Sequence, residues 1–113
     1  MLASALGRAL VIANPAARSG EGARAAGEVE AFLAAHPEAT PGFEVRSTAA
    51  AGDAQRMAAA AAGEGFDTVV ALGGDGIGPE IVNGLMELPR AERPTLGLIP
   101  MGSGNDYART LGM

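Results

Sequence analysis

Several residue types are missing from this sequence or scarce in it. Its 113 residues include no Cys and no Lys, and all eight basic side chains other than His are Arg. The lack of Cys excludes disulfides, thiolate zinc sites and catalysis by a Cys nucleophile. The lack of Lys excludes a P-loop lysine, and a net charge of −5 argues against nucleic-acid partners and against a polybasic membrane anchor. Any phosphate-bearing ligand must therefore be bound by backbone N–H groups, Arg or a divalent metal.

Long apolar runs and aromatic residues are scarce as well. No apolar run approaches the ~18 residues that a membrane span requires, and the start of the chain lacks the basic region of a signal peptide. We therefore expect a cytoplasmic protein. Aromatic residues make up 4% of the sequence and hydrophobic residues 48%, so aliphatic side chains must fill the core. The length is that of one domain.

Strand-like and helix-like segments alternate along the chain. Continuous apolar runs and one alternating run predict four strands, which lie within residues 8–15, 43–48, 67–72 and 95–100. A helical segment follows each strand. This alternation predicts an α/β fold, an open parallel sheet with helices on both faces joined by right-handed crossovers. We expect the strand order 2-1-3-4.

The helix boundaries are predicted from capping and breaking residues. Ser19 or Gly20 is expected to cap the first helix, and Asp53 the second. The third helix is predicted over residues 79–88, with its Pro in the first turn. A short fourth helix is predicted over residues 107–112.

Three strands end in loops that packing alone does not require. These are Asn14-Pro15, the glycine-rich residues 73–78 and the second glycine-rich stretch, 102–106. Because the carboxyl ends of parallel strands lie at one edge of a sheet, we expect the three loops to meet there. Glycine lets backbone approach a ligand closely, and successive N–H groups at a helix N-terminus bind anions. Asp75 and Asp106 would repel phosphate unless Mg²⁺ lies between, which makes both candidate metal ligands.

A turn that binds nothing is the alternative for either glycine loop taken alone. In that case Gly73 and Gly74 form a tight turn, and Asp75 is an ordinary helix cap. Two such loops, each with an acidic residue and each after a buried strand, favour the ligand site.

Three stretches of the chain resemble the catalytic domain of diacylglycerol kinases and the related sphingosine and bacterial lipid kinases. They are NPAARSG, GGDGIGPEIVNGL and LIPMGSGNDYARTLG. The GGDG loop is shared with NAD kinases and phosphofructokinases, so the other segments carry the specificity. The resemblance implies that residues 1–113 form the nucleotide-binding domain of a lipid kinase. Such enzymes transfer phosphate from ATP, with Mg²⁺, to a lipid hydroxyl such as that of diacylglycerol.

The family's β-rich C-terminal domain, which helps to bind the lipid, does not follow within these residues. We therefore expect the chain alone to have little or no activity. We expect the lipid acceptor to be met through that domain, peripherally at a membrane surface. Leu111 and Met113 are apolar, and their exposure would favour a homo-oligomer.

The resemblance also implies roles for single residues. Asp75 would be the base that activates the acceptor hydroxyl, and Asp75 and Asp106 would hold Mg²⁺. Residues expected to bind the nucleotide are Asn14, Pro15, Gly73, Gly74, Asp75, Gly76, Glu80, Asn83, Gly102, Ser103, Gly104, Asn105 and Asp106.

Two positions depart from the family pattern. Ile77 stands where the family has Thr, and Pro79 stands where it often has a polar residue. Neither side chain can donate a hydrogen bond to phosphate, and Pro has no N–H. We therefore expect weaker ATP binding than is usual for the family. Two alternatives stay open: an NAD kinase-like fragment, and a nucleotide-binding or regulatory domain that has lost catalysis.

Overall fold

Strands and helices alternate along the whole described part of the chain. The computed structural model describes residues 7–38, 40–73 and 77–99. Two short 3-10 turns, Ala62–Glu64 and Arg90–Glu92, follow the second and third helices. The main elements are β1 (Arg8–Ala13), α1 (Ala17–Ala35), β2 (Gly42–Ser47), α2 (Asp53–Ala61), β3 (Thr68–Leu72), α3 (Ile77–Met86) and β4 (Thr95–Ile99). The fourth helix predicted over residues 107–112 lies outside the described residues.

The four strands form one parallel sheet in the order β2-β1-β3-β4. This confirms the predicted order and the predicted parallel α/β architecture. Ala13 is paired with Ser47 on one side and with Leu72 on the other, and Leu72 is paired with Ile99. All four strands therefore end at the same edge, which we call the carboxyl edge.

Helices cover both faces of the sheet, as predicted. The residues of β1 alternate between two cores because successive strand side chains point to opposite faces. One core contains α1 and is centred on Val11, Val29, Val70 and Ile99. The other contains α2 and α3 and is centred on Leu10, Ile12, Ala58, Val69 and Ile81. Each fully buried Val, Leu or Ile stabilises the fold by roughly 1.5–3 kcal/mol, so the aliphatic core predicted from the composition is sufficient.

The prediction that Ser19 or Gly20 caps α1 was wrong. The helix begins at Ala17, and Ala16 occupies the capping position without a capping side chain. The Ala16 N–H donates instead to Asn14 Oδ1, at 3.0 Å. This bond lies in the turn before the helix and does not replace a cap, which would accept an N–H of the second or third helical residue. The helix starts earlier than its apolar pattern predicts.

The prediction that Asp53 caps α2 was also wrong. Gly52 is the capping residue, and Asp53 is the first residue of the helix. Its carboxylate accepts the N–H groups of Ala49 and Ala50, at 2.7 and 2.9 Å, and forms an ion pair with Arg56. The two backbone bonds, from Ala49 first and then Ala50, lower the pKa of Asp53, and Arg56 adds to the effect.

The third helix begins two residues before the predicted start. It runs over Ile77–Met86, and Pro79 lies exposed in its first turn. A Pro is tolerated there because the first N–H groups of a helix have no intrahelical acceptor. The lack of an N–H at Pro79 therefore did not set the boundary.

Ion pairs close the amino edge of the sheet. The Arg8 guanidinium lies over the Phe66 ring, 4.2 Å from its centroid, and donates to the Glu64 carbonyl oxygen at 2.6 Å. Arg46 forms salt bridges with Glu44 and Glu64, at 2.7 and 2.8 Å. Because these charged groups are paired with one another, the carboxyl edge is the better candidate for a ligand site.

Candidate functional site

The three predicted loops follow β1, β3 and β4, which are neighbouring strands that end at the carboxyl edge. The ladder between β3 and β4 extends one residue beyond β3, because the Gly73 N–H donates to the Ile99 carbonyl oxygen at 2.9 Å. Gly73 has a φ of 100°, which L side chains rarely adopt, so the turn after β3 requires glycine. Gly73 and Ile99, which precede the two glycine-rich stretches, therefore lie side by side.

A cleft of about 540 Å³ opens at this edge, between the turn after β1 and the turn after β2. Small-molecule sites commonly measure roughly 300–1,000 Å³, so the cleft has the size for one ligand. Most of its walls are small or apolar. Its lining residues are Asn14, Pro15, Ala16, Thr48, Ala49, Ala50, Ala51, Ala54, Ile77 and Glu80.

Residues at the N-termini of α1, α2 and α3 line the cleft. Ala16 precedes α1, Ala54 lies in the first turn of α2, and Ile77 is the first residue of α3, and all three line the walls. The first N–H groups of a helix have no intrahelical acceptor, and the helix dipole places partial positive charge at this end. Three such ends around one cavity form an environment for an anion, which a chain without Lys needs.

The wall formed by Asn14 and Pro15 is packed tightly against α1. The Cα of Gly22 faces the Asn14 carbonyl group so closely that a Cβ there would lie 2.9 Å from the Asn14 carbonyl carbon and nearer still to its oxygen. The Ala23 N–H also donates to the Pro15 carbonyl oxygen at 3.1 Å. The turn is thus held by backbone contacts, which fix the position of the Asn14 side chain.

Glu80 connects α3 to the turn before α2. Its Oε1 accepts the N–H of Gly52 at 3.2 Å across the base of the cleft. Among the lining residues, Glu80 alone carries an ionisable side chain. One oxygen of Glu80 therefore holds the turn before α2, and the role expected for Glu80 at the nucleotide remains a prediction.

The structure brings together some of the predicted site residues. Asn14, Pro15 and Glu80 line the same cleft, and Gly73 lies at the same edge, at the end of β3. Asn83 is exposed farther along α3 and is not among the lining residues, so its role in nucleotide binding remains a prediction.

The remaining predicted site residues lie outside the described residues, and so do both predicted metal ligands. These site residues are Gly74, Asp75, Gly76, Gly102, Ser103, Gly104, Asn105 and Asp106. Within residues 7–38, 40–73 and 77–99, no cluster of three or more His, Asp or Glu side chains could hold a metal ion.

Sequence reasoning missed the contribution of the turn after β2. Thr48 and the alanines at 49–51 line the cleft, and the Thr48 N–H donates to the Ala13 carbonyl oxygen at 2.8 Å. The position of Thr48 after a strand of the same parallel sheet predicts the edge at which it emerges, but not that it lines this cleft. The turn was overlooked because it has neither the glycines nor the acid of the other loops.

These features define a class, an α/β domain with a parallel sheet and a cleft at its carboxyl edge, lined by residues of three helix N-termini. Comparison with known proteins makes the assignment specific. The family model of the diacylglycerol kinase catalytic domain matches residues 8–113. The chain therefore belongs to the diacylglycerol kinase catalytic domain family, as the resemblance of its loops predicted.

Individual relatives agree with the family assignment. The chain is 50% identical over 74 residues to the diacylglycerol kinase of Bacillus subtilis (strain 168), a match that covers 64% of this chain and 24% of the relative. It is 47% identical over 76 residues to a protein of Chromohalobacter salexigens named "Probable lipid kinase YegS-like", covering 67% of this chain and 24% of that protein.

Solved structures show the same fold. A crystal structure of a diacylglycerol kinase from Bacillus anthracis str. Sterne aligns with a TM-score of 0.67 and 36% identity, over 95% of this chain and 38% of that one. The two curated relatives above are matched over 24% of their length, so the chain spans about a quarter of each. In the described part of the chain, no helix combines the length and the apolar character of a membrane span.

Proposed function

We propose that this domain binds the nucleotide of an ATP-dependent lipid kinase at the carboxyl-edge cleft. The observation that carries the proposal is the convergence of three helix N-termini on one cavity of about 540 Å³. Family membership supplies the reaction class, and the cleft supplies a place for the phosphates. The chemistry is phosphoryl transfer from ATP to a hydroxyl of a diacylglycerol-like lipid.

In this proposal the chain acts mainly by positioning and by neutralising charge. The nucleotide phosphates lie against the first N–H groups of α1 and α3 and the backbone of the Gly73–Gly76 loop. Asn14 and Thr48 offer side-chain hydrogen bonds to the nucleotide from opposite walls. Phosphoryl transfer requires little covalent chemistry from the protein, so a rigid cradle of donors is the expected machinery.

In the proposal the acids of the two glycine loops share a metal, and one of them is also the base. Asp75 takes the proton of the acceptor hydroxyl, and Asp75 and Asp106 would hold a Mg²⁺ ion, which neutralises phosphate charge when bound. Glu80, the carboxylate at the cleft, already accepts the Gly52 N–H and is not required as a metal ligand.

The lipid acceptor and the complete reaction concern more than these 113 residues. We propose that the chain alone binds nucleotide but transfers little or no phosphate, because relatives are matched over only 24% of their length. In this proposal, acceptor choice and contact with a membrane surface belong to the family's second domain and not to these residues. Radiolabelled phosphate in diacylglycerol after incubation with the purified 113-residue chain would contradict this.

Calorimetric titration with Mg·ATP tests the site. We expect saturable binding, and we expect Thr48→Val to weaken it about fivefold, since a net hydrogen bond contributes about 1 kcal/mol. Thr95→Val is the matched control, because Thr95 is exposed on β4 and does not line the cleft. Absence of saturable binding by the wild type, or equal losses in the two variants, would exclude this cleft.

A domain that binds nucleotide but has lost catalysis is the second candidate. Ile77 lines the cleft as the first residue of α3 and Pro79 follows in the same turn, so two positions near the proposed phosphates offer no side-chain donor. Mg·ATP binding without transfer, measured after the family's second domain is joined to this chain, would favour this candidate. Competition of NAD with ATP in the same titration would instead favour an NAD kinase-like protein.

A further inference from the structure

The turn between β2 and α2, residues 48–52, forms one wall of the cleft and has few side-chain atoms with which to pack. It consists of Thr48, three alanines and Gly52, and the alanines are exposed. Small exposed side chains bury little apolar area, so packing contributes little to the shape of this turn. Its shape must therefore depend on the acceptors to which its backbone N–H groups are bonded.

Two carboxylates from outside the turn accept its N–H groups. Oδ2 of Asp53 accepts the N–H groups of both Ala49 and Ala50, at 2.7 and 2.9 Å. Oε1 of Glu80 accepts the Gly52 N–H at 3.2 Å. The Asp53 N–H donates in turn to the Ala50 carbonyl oxygen at 3.2 Å, which closes the turn on itself. Because two successive N–H groups converge on one Asp53 oxygen, that carboxylate orients two neighbouring peptide planes.

The same bonds limit what the turn can offer to a ligand. Successive N–H groups of a turn form a concave site for an anion. Here the carboxylate of Asp53 occupies the site formed by Ala49 and Ala50, and Glu80 takes the N–H of Gly52. The turn is therefore expected to contribute to nucleotide binding through the side chain of Thr48 and not through these backbone donors.

Thr48 lies between two anchors. Its own N–H donates to the Ala13 carbonyl oxygen at 2.8 Å, and the next two N–H groups along the chain donate to Asp53. A residue has two soft backbone dihedrals, and the peptide planes on its two sides set them. Ala13 holds the plane before Thr48 and Asp53 holds the plane after it, so both anchors are needed to direct the Thr48 side chain.

We propose that Asp53 is a positioning residue for the nucleotide, a role that rests on the proposed function of the cleft. Asp53 is not among the residues that line the cleft, so it acts through the turn. Its carboxylate holds the peptide planes of Ala49 and Ala50 and thereby directs the Thr48 side chain to the ligand. The ion pair with Arg56 involves the other oxygen, Oδ1, so it can be removed without disturbing Oδ2.

Amide hydrogen exchange tests the contact without any nucleotide. Ala49 and Ala50 are exposed, so little except the bond to Asp53 shields their N–H groups. We expect nuclear magnetic resonance to show that both amides exchange about tenfold more slowly than those of a free peptide, since bonds to a charged acceptor are the stronger kind. The protection should persist in Asp53→Asn, which keeps an acceptor oxygen, and in Arg56→Ala. It should disappear in Asp53→Ala.

Calorimetric titration with Mg·ATP tests the route of the effect. Asp53→Ala should weaken binding about fivefold, the loss expected when the Thr48 hydrogen bond is no longer made. In the Asp53→Ala background, Thr48→Val should cost less than about twofold further, because the two residues act as one unit. Asn14→Ala, on the opposite wall, should cost the same factor in both backgrounds. Asp53→Asn should recover most of the affinity, and Arg56→Ala should bind like the wild type.

Urea unfolding first establishes that each variant is folded at the temperature of the titration. A general loss of stability in Asp53→Ala would leave the cost of Thr48→Val unchanged, so the comparison separates positioning from a merely structural role.

Each other outcome overturns the proposal. Amides of Ala49 and Ala50 that exchange like a free peptide in the wild type show that Asp53 does not hold the turn, and this measurement needs no variant. Equal costs of Thr48→Val in the two backgrounds show that Asp53 does not act through Thr48. A loss in Arg56→Ala as large as in Asp53→Ala makes the ion pair the relevant contact. If the wild type binds no Mg·ATP, the proposed function fails and the positioning role with it. If Mg·ATP binds without coupling between Asp53 and Thr48, only the positioning role fails.

Discussion

Replacing Gly22 with Ala tests how closely α1 packs against the Asn14–Pro15 turn that forms one wall of the cleft. A Cβ at position 22 would lie 2.9 Å from the Asn14 carbonyl carbon and 3.2 Å from that of Pro15, and still closer to the Asn14 oxygen. All three atoms belong to the backbone, so no side-chain rotation relieves the contact. The helix and the turn must move apart.

Two opposing effects set the size of the change. Ala is preferred to Gly in a helix by about 1 kcal/mol. Overpacking costs about 1–3 kcal/mol, and a backbone-to-backbone contact belongs at the upper end of that range. The expected net loss is therefore about 2 kcal/mol of unfolding free energy. At roughly 4 °C per kcal/mol for a domain of this size, Tm should fall by about 8 °C.

Gly27→Ala is the matched control, because it makes the same substitution in the same helix. Gly27 is exposed, and a Cβ there would have no neighbour within 4 Å. Only the propensity gain applies, so this variant should be about 1 kcal/mol more stable than the wild type. Urea unfolding followed by far-ultraviolet circular dichroism measures both, with m-values that should not differ.

The result that refutes the reasoning is a Gly22→Ala protein as stable as Gly27→Ala. It would mean that α1 and the Asn14 turn are not in close contact. A loss of stability in both variants would instead show that helix propensity does not govern position 27. If the packing argument holds, Gly22→Ala should also weaken Mg·ATP binding, and Gly27→Ala should not.

Three further predictions concern the cleft and its supports. Asp53→Asn should be less stable than the wild type at neutral pH. The pKa of Asp53 is lowered in the folded state, so the carboxylate stabilises the fold above its unfolded-state pKa of about 3.9. This stabilisation is lost as the pH falls through the folded-state pKa. The urea midpoints of the wild type and Asp53→Asn should therefore converge in acid. Glu80→Gln keeps an acceptor for the Gly52 N–H but removes negative charge from the cleft, so calorimetry should show unchanged or tighter Mg·ATP binding. Weaker binding would mean that the carboxylate itself is needed. Glu87→Gln, at the residue that follows α3, is the control. Ile77→Thr should reduce the unfolding free energy by about 1–2 kcal/mol, because Ile77 is 7% exposed in the core under α2 and α3. It should also tighten Mg·ATP binding, because Thr offers phosphate a side-chain donor. An unchanged affinity would count against the expected benefit of that donor.

The sheet could be predicted well because its information is local. β1 and β3 are continuous apolar runs, and all of β3 is buried. Asn14-Pro15 and Gly73 follow these two strands directly, so both turns were correctly assigned to strand ends. Helix placement then followed from the handedness of crossovers, which is a general property of L-residues, and the strand order followed from analogy with flavodoxin-like sheets.

Helix starts were less predictable, because capping depends on groups that come from outside the helix. Ser19 and Asp53 have capping side chains by type, and neither caps its helix. The acceptor for the Ala16 N–H is Asn14, from the preceding turn, and Asp53 accepts N–H groups of the turn before it. Local propensity gives the residue types near a helix end, and the path of the incoming chain decides which of them is used.

By itself the sequence determined that this chain is a parallel α/β domain with its loops at one sheet edge, since periodicity, breakers and handedness act over short stretches. It also predicted Asn14, Pro15 and Glu80 as site residues, and all three line one cleft. Only the tertiary structure decided that Thr48 shares their cleft, that α1 touches the Asn14 turn at Gly22, and that Leu96 and Leu98 lie exposed beside α3. Each of those facts joins residues of different elements, and such distances are fixed by register and helix packing, which no local pattern encodes.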